Sequence, residues 1–272
     1  MPCLVDPQSL QTDRAGTPAP LLIDARPAHE FARGQIAGAV HLDLWGLSLI
    51  DTSDAPLRAF SWMIGHLFSL RGVRPDRPVV VYEADSGIRA ARVFWWLEYL
   101  GHPDARVLDG GLTAWARAGL PLSTDPTVPV ASEWHGTPTP ERIATWQDVL
   151  ARLGRDTAIV DTRSDDEYYG RAVRAARAGA IPGAVHLEWT RNLTSDGRFK
   201  TADDLRGMYA EAGVGPDREV VTYCQGGYRA AHTYLALRHL GFPRVRNYTG
   251  SWKEWGDRED LPIERPGPEP AR

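Results

Sequence analysis

The chain has 272 residues, 43% of them hydrophobic, and a formal net charge of −4. That length predicts roughly two domains, and the mild acidity excludes a nucleic-acid scaffold, which would carry a concentrated basic face. Two cysteines give no disulfide framework and point to a reducing compartment.

In chain order, Met1–Asp6 lacks the charged and apolar regions of a signal peptide. No stretch reaches the ~18 apolar residues of a membrane span. A cytoplasmic protein without membrane or nucleic-acid partners is expected, with Cys3 in a loose N-terminal segment. Leu21–Asp24 reads as a buried strand ending in Asp24-Ala25-Arg26, where the aspartate can serve local backbone or the arginine two residues on. Ile36-Ala37-Gly38-Ala39-Val40-His41-Leu42 follows. Val79–Tyr82 is a second strand, and the loop Glu83 to Arg89 leads into a helical run over Val93–Leu100. Trp95 and Trp96 in that run are expected to serve core or inter-domain packing. Gly110, Trp115 and Leu120-Pro121 close the first half.

Residues 124–140 are rich in proline, which prevents regular helix and stiffens the connection. A helical pattern opens at Thr145–Leu150. The same features then return. Ala158–Asp161 ends in Asp161-Thr162-Arg163, Ile181–Leu187 repeats Ile36–Leu42, and Glu219–Tyr223 repeats Val79–Tyr82. Arg229-Ala230-Ala231 repeats Arg89-Ala90-Ala91, and Gly250, Trp255 and Leu261-Pro262 repeat the first closing set. The chain is an internal duplication with a period of about 140 residues. We assign 1–123 and 141–272 to two domains joined by 124–140. Short Val/Ile-rich strands alternating with amphipathic helical stretches predict, in each half, an α/β fold with a parallel sheet flanked by helices. The tail after Ile263 is expected to be frayed.

Residues shared by both halves belong to the fold, and residues of one half only are where function should lie. His41 and His186 share a slot and read as structural. At the position of Glu83 the second half has Cys224, in Cys224-Gln225-Gly226-Gly227-Tyr228-Arg229. A strand precedes this loop and a helix follows it from about Arg229 to Leu240. The two glycines let backbone N–H groups converge, and the helix adds its positive end. Such a cradle stabilises a thiolate or a bound anion. Two further one-half features stand out. Trp189 follows the His186-Leu187-Glu188 strand end. Arg171, Arg174 and Arg177 read either as a solvated face or as a second anion anchor. The turn-rich loop Asn192–Lys200 is a candidate for the site's rim.

The loop Cys224–Arg229, the two Asp-x-Arg strands, the two Ile-x-Gly-Ala-Val-His segments and Gly250-Ser251-Trp252-Lys253-Glu254-Trp255-Gly256 together resemble a tandem-domain rhodanese, a thiosulfate sulfurtransferase. The resemblance runs from about Leu21 to Ile263. It implies two rhodanese-like domains, the first inactive, and a persulfide on Cys224. It also implies a substrate site formed by Gln225, Gly226, Gly227, Tyr228 and Arg229, with a tryptophan, matched by Trp189, beside the persulfide; Arg174, from the basic stretch, is a candidate anchor on its charge alone. The loop departs from the Cys-Arg-Lys-Gly pattern of thiosulfate enzymes and the Cys-Gly-(Ser/Thr)-Gly pattern of mercaptopyruvate enzymes. It is closest to a bacterial branch whose loop begins Cys-Gln. The expected reaction is ping-pong transfer from a small anionic sulfur donor to cyanide, a thiol or a sulfur-accepting protein. No metal or organic cofactor is expected, and a monomer is. A 3-mercaptopyruvate sulfurtransferase and a persulfide carrier without turnover are the alternatives. A phosphatase fits less well, because Cys-x4-Arg is one residue shorter than the loops that wrap a tetrahedral oxyanion.

Overall fold

The computed structural model describes residues 3–267. These form two compact units. One contains the residues through Leu47, Arg58–Thr139 and Leu193–Phe199; the other contains Ser48–Leu57, Pro140–Asn192 and the residues from Lys200 onward.

The first unit holds β1 (Leu4–Val5), α1 (Pro7–Asp13), β2 (Leu21–Asp24), α2 (Ala28–Phe31), β3 (Val40–His41), most of α3 (Asp54–Ser69), β4 (Val79–Tyr82), α4 (Ile88–Tyr99), β5 (Ala105–Leu108) and α5 (Gly111–Arg117). Its strands form one parallel sheet in the order β1-β5-β4-β2-β3. Every residue of β2 and β4 is buried, as central strands covered on both faces require. Trp95 and Trp96 are fully buried in α4, with Trp95 stacked on Tyr99. Both belong to the core, as expected.

The second unit repeats the plan. It holds β6 (Ile143–Ala144), α6 (Trp146–Arg152), β7 (Thr157–Asp161), α7 (Asp165–Tyr168), β8 (Val185–His186), α8 (Ala202–Glu211), β9 (Glu219–Tyr223), α9 (Tyr228–His239), β10 (Val245–Tyr248) and α10 (Ser251–Asp257). The parallel order β6-β10-β9-β7-β8 matches the first sheet strand for strand. Even the register repeats: Asp24 pairs with His41 and Tyr82, and Asp161 with His186 and Tyr223. His41 accordingly bonds the Arg26 carbonyl at 2.8 Å, and His186 bonds the Asp161 carbonyl at 3.2 Å and the Asp165 carboxylate at 2.8 Å. Among the described residues no helix is long and apolar enough to cross a membrane.

Three expectations need correction. Cys3 is buried, because the backbone beside it joins the sheet: its carbonyl accepts the Val107 N–H at 2.9 Å. The tail beyond Ile263 is anchored as far as Glu264, which pairs with Ala180 and whose carboxylate accepts the Gly183 N–H at 2.7 Å; residues past 267 lie outside the described chain. The turn Leu193–Phe199, within the loop Asn192–Lys200, belongs to the second half of the sequence but not to the second unit. It packs in the first, where Gly197 O accepts the Ser86 N–H at 2.9 Å and Arg198 pairs with Asp109 at 3.0 Å.

The proline-rich connection docks on the first unit. Ser132 N–H donates to Ser69 O at 2.9 Å, Thr137 N–H to Leu100 O at 2.8 Å and Thr139 N–H to Tyr99 O at 2.7 Å. Prolines remove donors, so the residues between them make the ties. The segment comes so close to α3 that a Cβ on Gly65 would lie 2.2 Å from the His135 carbonyl oxygen. Gly65→Ala should therefore destabilise by about 1–3 kcal/mol. Gly207→Ala, in α8 with nothing within 4 Å of its Cβ, should stabilise by about 0.5–1 kcal/mol. Calorimetric melting of both variants checks the contrast, and equal Tm values would contradict it.

Candidate active site

β9 delivers Cys224 to the carboxyl end of the second sheet, where sites in open parallel sheets lie. The strand end is held from behind. Tyr223 Oη donates to Asp161 Oδ2 at 2.5 Å and accepts the Ile181 N–H at 3.2 Å, while Arg163 Nε and Nη2 donate to the same carboxylate at 2.9 and 2.5 Å. Desolvation drives the Tyr223 phenol well above its ordinary value, with the Asp161 charge adding to it.

The thiol is 1% exposed. Gly227 N–H donates to Cys224 Sγ at 3.1 Å. Gly227 makes this possible by taking φ 83°, a left-handed conformation at the N-cap of α9 that residues with a Cβ disfavour. Gly226 has no such need, since a Cβ there would meet nothing nearer than Ser48 Oγ at 4.0 Å. The loop's other side is held by the start of α10. Trp252 and Lys253 N–H donate to the carbonyls of Cys224 and Gln225, each at 2.9 Å. Cys224 N–H donates to Ser251 Oγ at 3.1 Å, and that oxygen lies 4.0 Å from Sγ. Ser251 adopts φ 52°, the one non-glycine residue with positive φ among the described residues. Such strain, of order 1–3 kcal/mol, collects at functional sites. The sequence places Ser251 in the Gly250–Gly256 motif but gives no sign of its left-handed backbone, which its surroundings impose.

Arg229 opens α9 and makes a bidentate pair with Glu167, at 2.5 and 2.9 Å. Asp161 is not its partner, being taken by Arg163 and Tyr223. Burial alone would raise the Glu167 carboxyl, but hydrogen bonds and charge from Arg229, with help from Ser164, hold it down at about 2. Desolvation works against the Arg229 charge, and Glu167 together with Cys224 more than offsets it, raising its pKa. The Ser164-x-x-Glu167 capping box was the legible clue to Glu167.

The three arginines of the basic stretch divide. Arg177 binds carbonyls of Gly256, Leu261, Trp255 and Arg258, so it serves the end of α10. Arg171 pairs with Asp166 in the open at 2.7 Å. Arg174, 64% exposed, has Nε 3.7 Å from the Glu167 carboxylate, and its carbonyl accepts Gln225 Nε2 at 2.8 Å. The structure thus gathers Cys224, Gln225, Gly227, Arg229 and Arg174 around one loop. Tyr228 is half-buried at the first position of α9. Trp189, at the start of the 3-10 turn Trp189–Asn192, lies edge-on to the buried His232 of α9 with ring centroids 5.0 Å apart.

The matching loop of the first unit is filled from within. Glu83 Oε1 accepts the N–H groups of Arg89 and Ala90 at 2.7 and 2.9 Å, occupying the first turn of α4. Its carboxylate lies 2.6 Å from where a Cβ on Gly87 would be. Burial pushes the Glu83 carboxyl up to about 7 against the pull of those donors. Arg89, the twin of Arg229, pairs with Asp43 at 2.5 Å.

A family model for the rhodanese-like domain matches residues 6–118 and again 145–258. The chain belongs to the rhodanese family. Among its curated relatives, this rhodanese is 38% identical to a thiosulfate sulfurtransferase of Azotobacter vinelandii over 269 residues, 97% of each chain. It is 35% identical to a thiosulfate sulfurtransferase of Pseudomonas aeruginosa over 272 residues, again 97% of each. It is also 35% identical over 251 residues to the sulfur carrier protein TtuD of Thermus thermophilus, 86% of each. In fold it is similar to EanB, solved in complex with ergothioneine, with a TM-score of 0.80 and 24% identity; the match covers 92% of this rhodanese and 65% of that longer chain.

Two stability measurements follow. Glu167 has a depressed pKa, so its contribution is present above the ordinary value of 4.5 and is lost as pH falls toward about 2. Arg229→Lys keeps charge but loses the planar fork. It should cost about 1.5–3 kcal/mol at pH 7, with the gap to wild type narrowing on acidification; a pH-independent gap would contradict this. Glu83 has the opposite sign. Its raised pKa means stability present below 4.5 and lost as pH rises through about 7. The melting temperature of Glu83→Gln should therefore gain on wild type between pH 5 and pH 8, and parallel curves would count against it.

Proposed function

We propose that this rhodanese moves the sulfane sulfur of thiosulfate to a thiophilic acceptor through a persulfide on Cys224. The observation that carries the reading is the sulfur's setting: Gly227 N–H at 3.1 Å and the N-terminus of α9 face one buried thiol, whose backbone N–H is held by Ser251 Oγ while the Ser251 hydroxyl donates to the Tyr248 carbonyl at 2.7 Å. These groups favour negative charge on sulfur. The Cys224 thiolate attacks the outer sulfur of thiosulfate, the S–S bond breaks, and its electron pair leaves with sulfite. The acceptor, cyanide, a thiol or a carrier protein, then attacks the terminal sulfur and returns the thiolate. Charge stays on sulfur throughout, so the same donors serve both half-reactions.

Donor choice turns on the arginines. Arg229 is committed to Glu167, whereas Arg174 is exposed beside the same carboxylate. A compact dianion needs only the loop's N–H groups and this one nearby cation. Mercaptopyruvate needs a further anchor for its carboxylate, ångströms from the sulfur, and the Gly-(Ser/Thr)-Gly loop associated with that anchor is absent. Thiosulfate is the preferred donor in this reading, in keeping with the names of two relatives. A carrier function is supported by the relationship to TtuD; it keeps the persulfide and differs only in turnover.

After thiosulfate treatment, the intact mass should rise by about 32 Da, one sulfur, in Cys3→Ser and not in Cys224→Ser. With cyanide as common acceptor, kcat/KM for thiosulfate should exceed that for mercaptopyruvate by roughly ten- to a hundredfold. Arg174→Ala should raise KM for thiosulfate. Sulfur loading in Cys224→Ser would sink the persulfide assignment, a mercaptopyruvate value at or above the thiosulfate value the donor assignment. Loading without turnover would select the carrier.

A further inference from the structure

The arm Ser48–Leu57 belongs by sequence to the first half of the chain and by packing to the second unit. We propose that Thr52 on this arm is a positioning residue for the reaction at Cys224, acting through Glu254 and the Gly250–Ser251 turn. The proposal rests on Cys224 being the residue that carries sulfur.

Thr52 is fully buried and makes a polar latch. Its N–H donates to Glu254 Oε1 at 2.6 Å, and its hydroxyl lies 2.8 Å from Oε2 and 3.0 Å from Oε1. The same hydroxyl oxygen accepts the Trp146 N–H at 3.0 Å. One side chain therefore joins the start of α6 to a carboxylate on α10. Burial raises the Glu254 carboxyl, and the Thr52 donors oppose it; without them the group would be buried with its acceptors underused, which is costly.

The carboxylate lies under the turn that touches the thiol. A Cβ on Gly250 would come 1.9 Å from Glu254 Oε2, and 3.0 Å from the Thr52 methyl carbon. Glycine at 250 is what lets both side chains press against this backbone. The next residue, Ser251, is held left-handed at φ 52° with its hydroxyl oxygen on Cys224 N–H. A non-glycine residue stays in that region only when its surroundings over-determine it. Glu254, fixed by Thr52, packs against the turn directly. Losing the hydroxyl leaves both the Trp146 N–H and part of the carboxylate unpaired, and the turn is freed to relax, carrying Ser251 Oγ away from the sulfur.

The test uses full-length protein in a Cys3→Ser background, with Thr52→Val, Thr52→Ser and Glu254→Gln. Each is assayed well below its own melting temperature for kcat, for KM with thiosulfate and cyanide, and for the rate of Cys224 alkylation by iodoacetamide. Thr52→Val should lower kcat about tenfold with KM for thiosulfate within about twofold, and should change the alkylation rate. Thr52→Ser, which restores the hydroxyl, should recover both, and Glu254→Gln should resemble Thr52→Val. Wild-type kcat and alkylation in Thr52→Val would overturn the proposal. So would equal losses in Thr52→Ser, since the arm would then act by bulk alone. Alkylation reads the thiol directly, so the latch is tested even if wild type turns over no thiosulfate, a result that would instead count against the sulfur-transfer reading.

Discussion

Everything at the reactive end of each sheet leans on a buried carboxylate. Asp161 accepts from the backbone and guanidinium of Arg163 and from the Tyr223 hydroxyl, and Asp24 accepts from Arg26 in the same way. Each arginine passes its remaining reach to a glycine carbonyl, Gly179 or Gly34, at 2.7 Å. The knot ties the end of one strand, the segment after it and the next strand's last tyrosine into one body. Deleting a single partner of such a pair typically costs 3–5 kcal/mol, because the other charge stays buried alone. That cost explains why both halves keep the knot although their loops differ.

On this common base the two loops solve the same electrostatic problem in different ways. A strand that runs into a helix exposes unpaired N–H groups at the turn. In the second unit a sulfur takes Gly227 N–H. In the first, Glu83 reaches the N–H groups of Arg89 and Ala90. The arginine after each loop is likewise neutralised locally, by Glu167 or by Asp43. The geometry leaves one loop with a thiol at its centre and the other with a carboxylate on its N–H groups.

Much of this was legible because the chain is a duplication. Repeated residues, Asp24 with Asp161 and His41 with His186, marked the scaffold, and the exchange of Glu83 for Cys224 marked the candidate site. The four central strands were readable from their apolar runs. What stayed hidden depends on residues far apart in sequence or on imposed backbone. Arg229 meets Glu167 62 positions away, and Thr52 meets Glu254 across 202. Cys3 looked loose because two strand residues carry little periodicity, and the proline-rich stretch read only as a stiff connection because its ties are backbone N–H groups. Arg177 looked like surface charge, yet its guanidinium is consumed by four carbonyls. Ser251 lies in a recognisable motif, yet nothing in the motif shows its positive φ.

The occupied first loop has a kinetic meaning of its own. A carboxylate attached to the backbone it binds cannot diffuse away, and its local concentration far exceeds that of any dissolved donor competing for the same amides. The Glu83 loop is thus permanently self-ligated. An anion reaching it meets a competitor that is never diluted and never washed out, so the first loop holds its shape by itself.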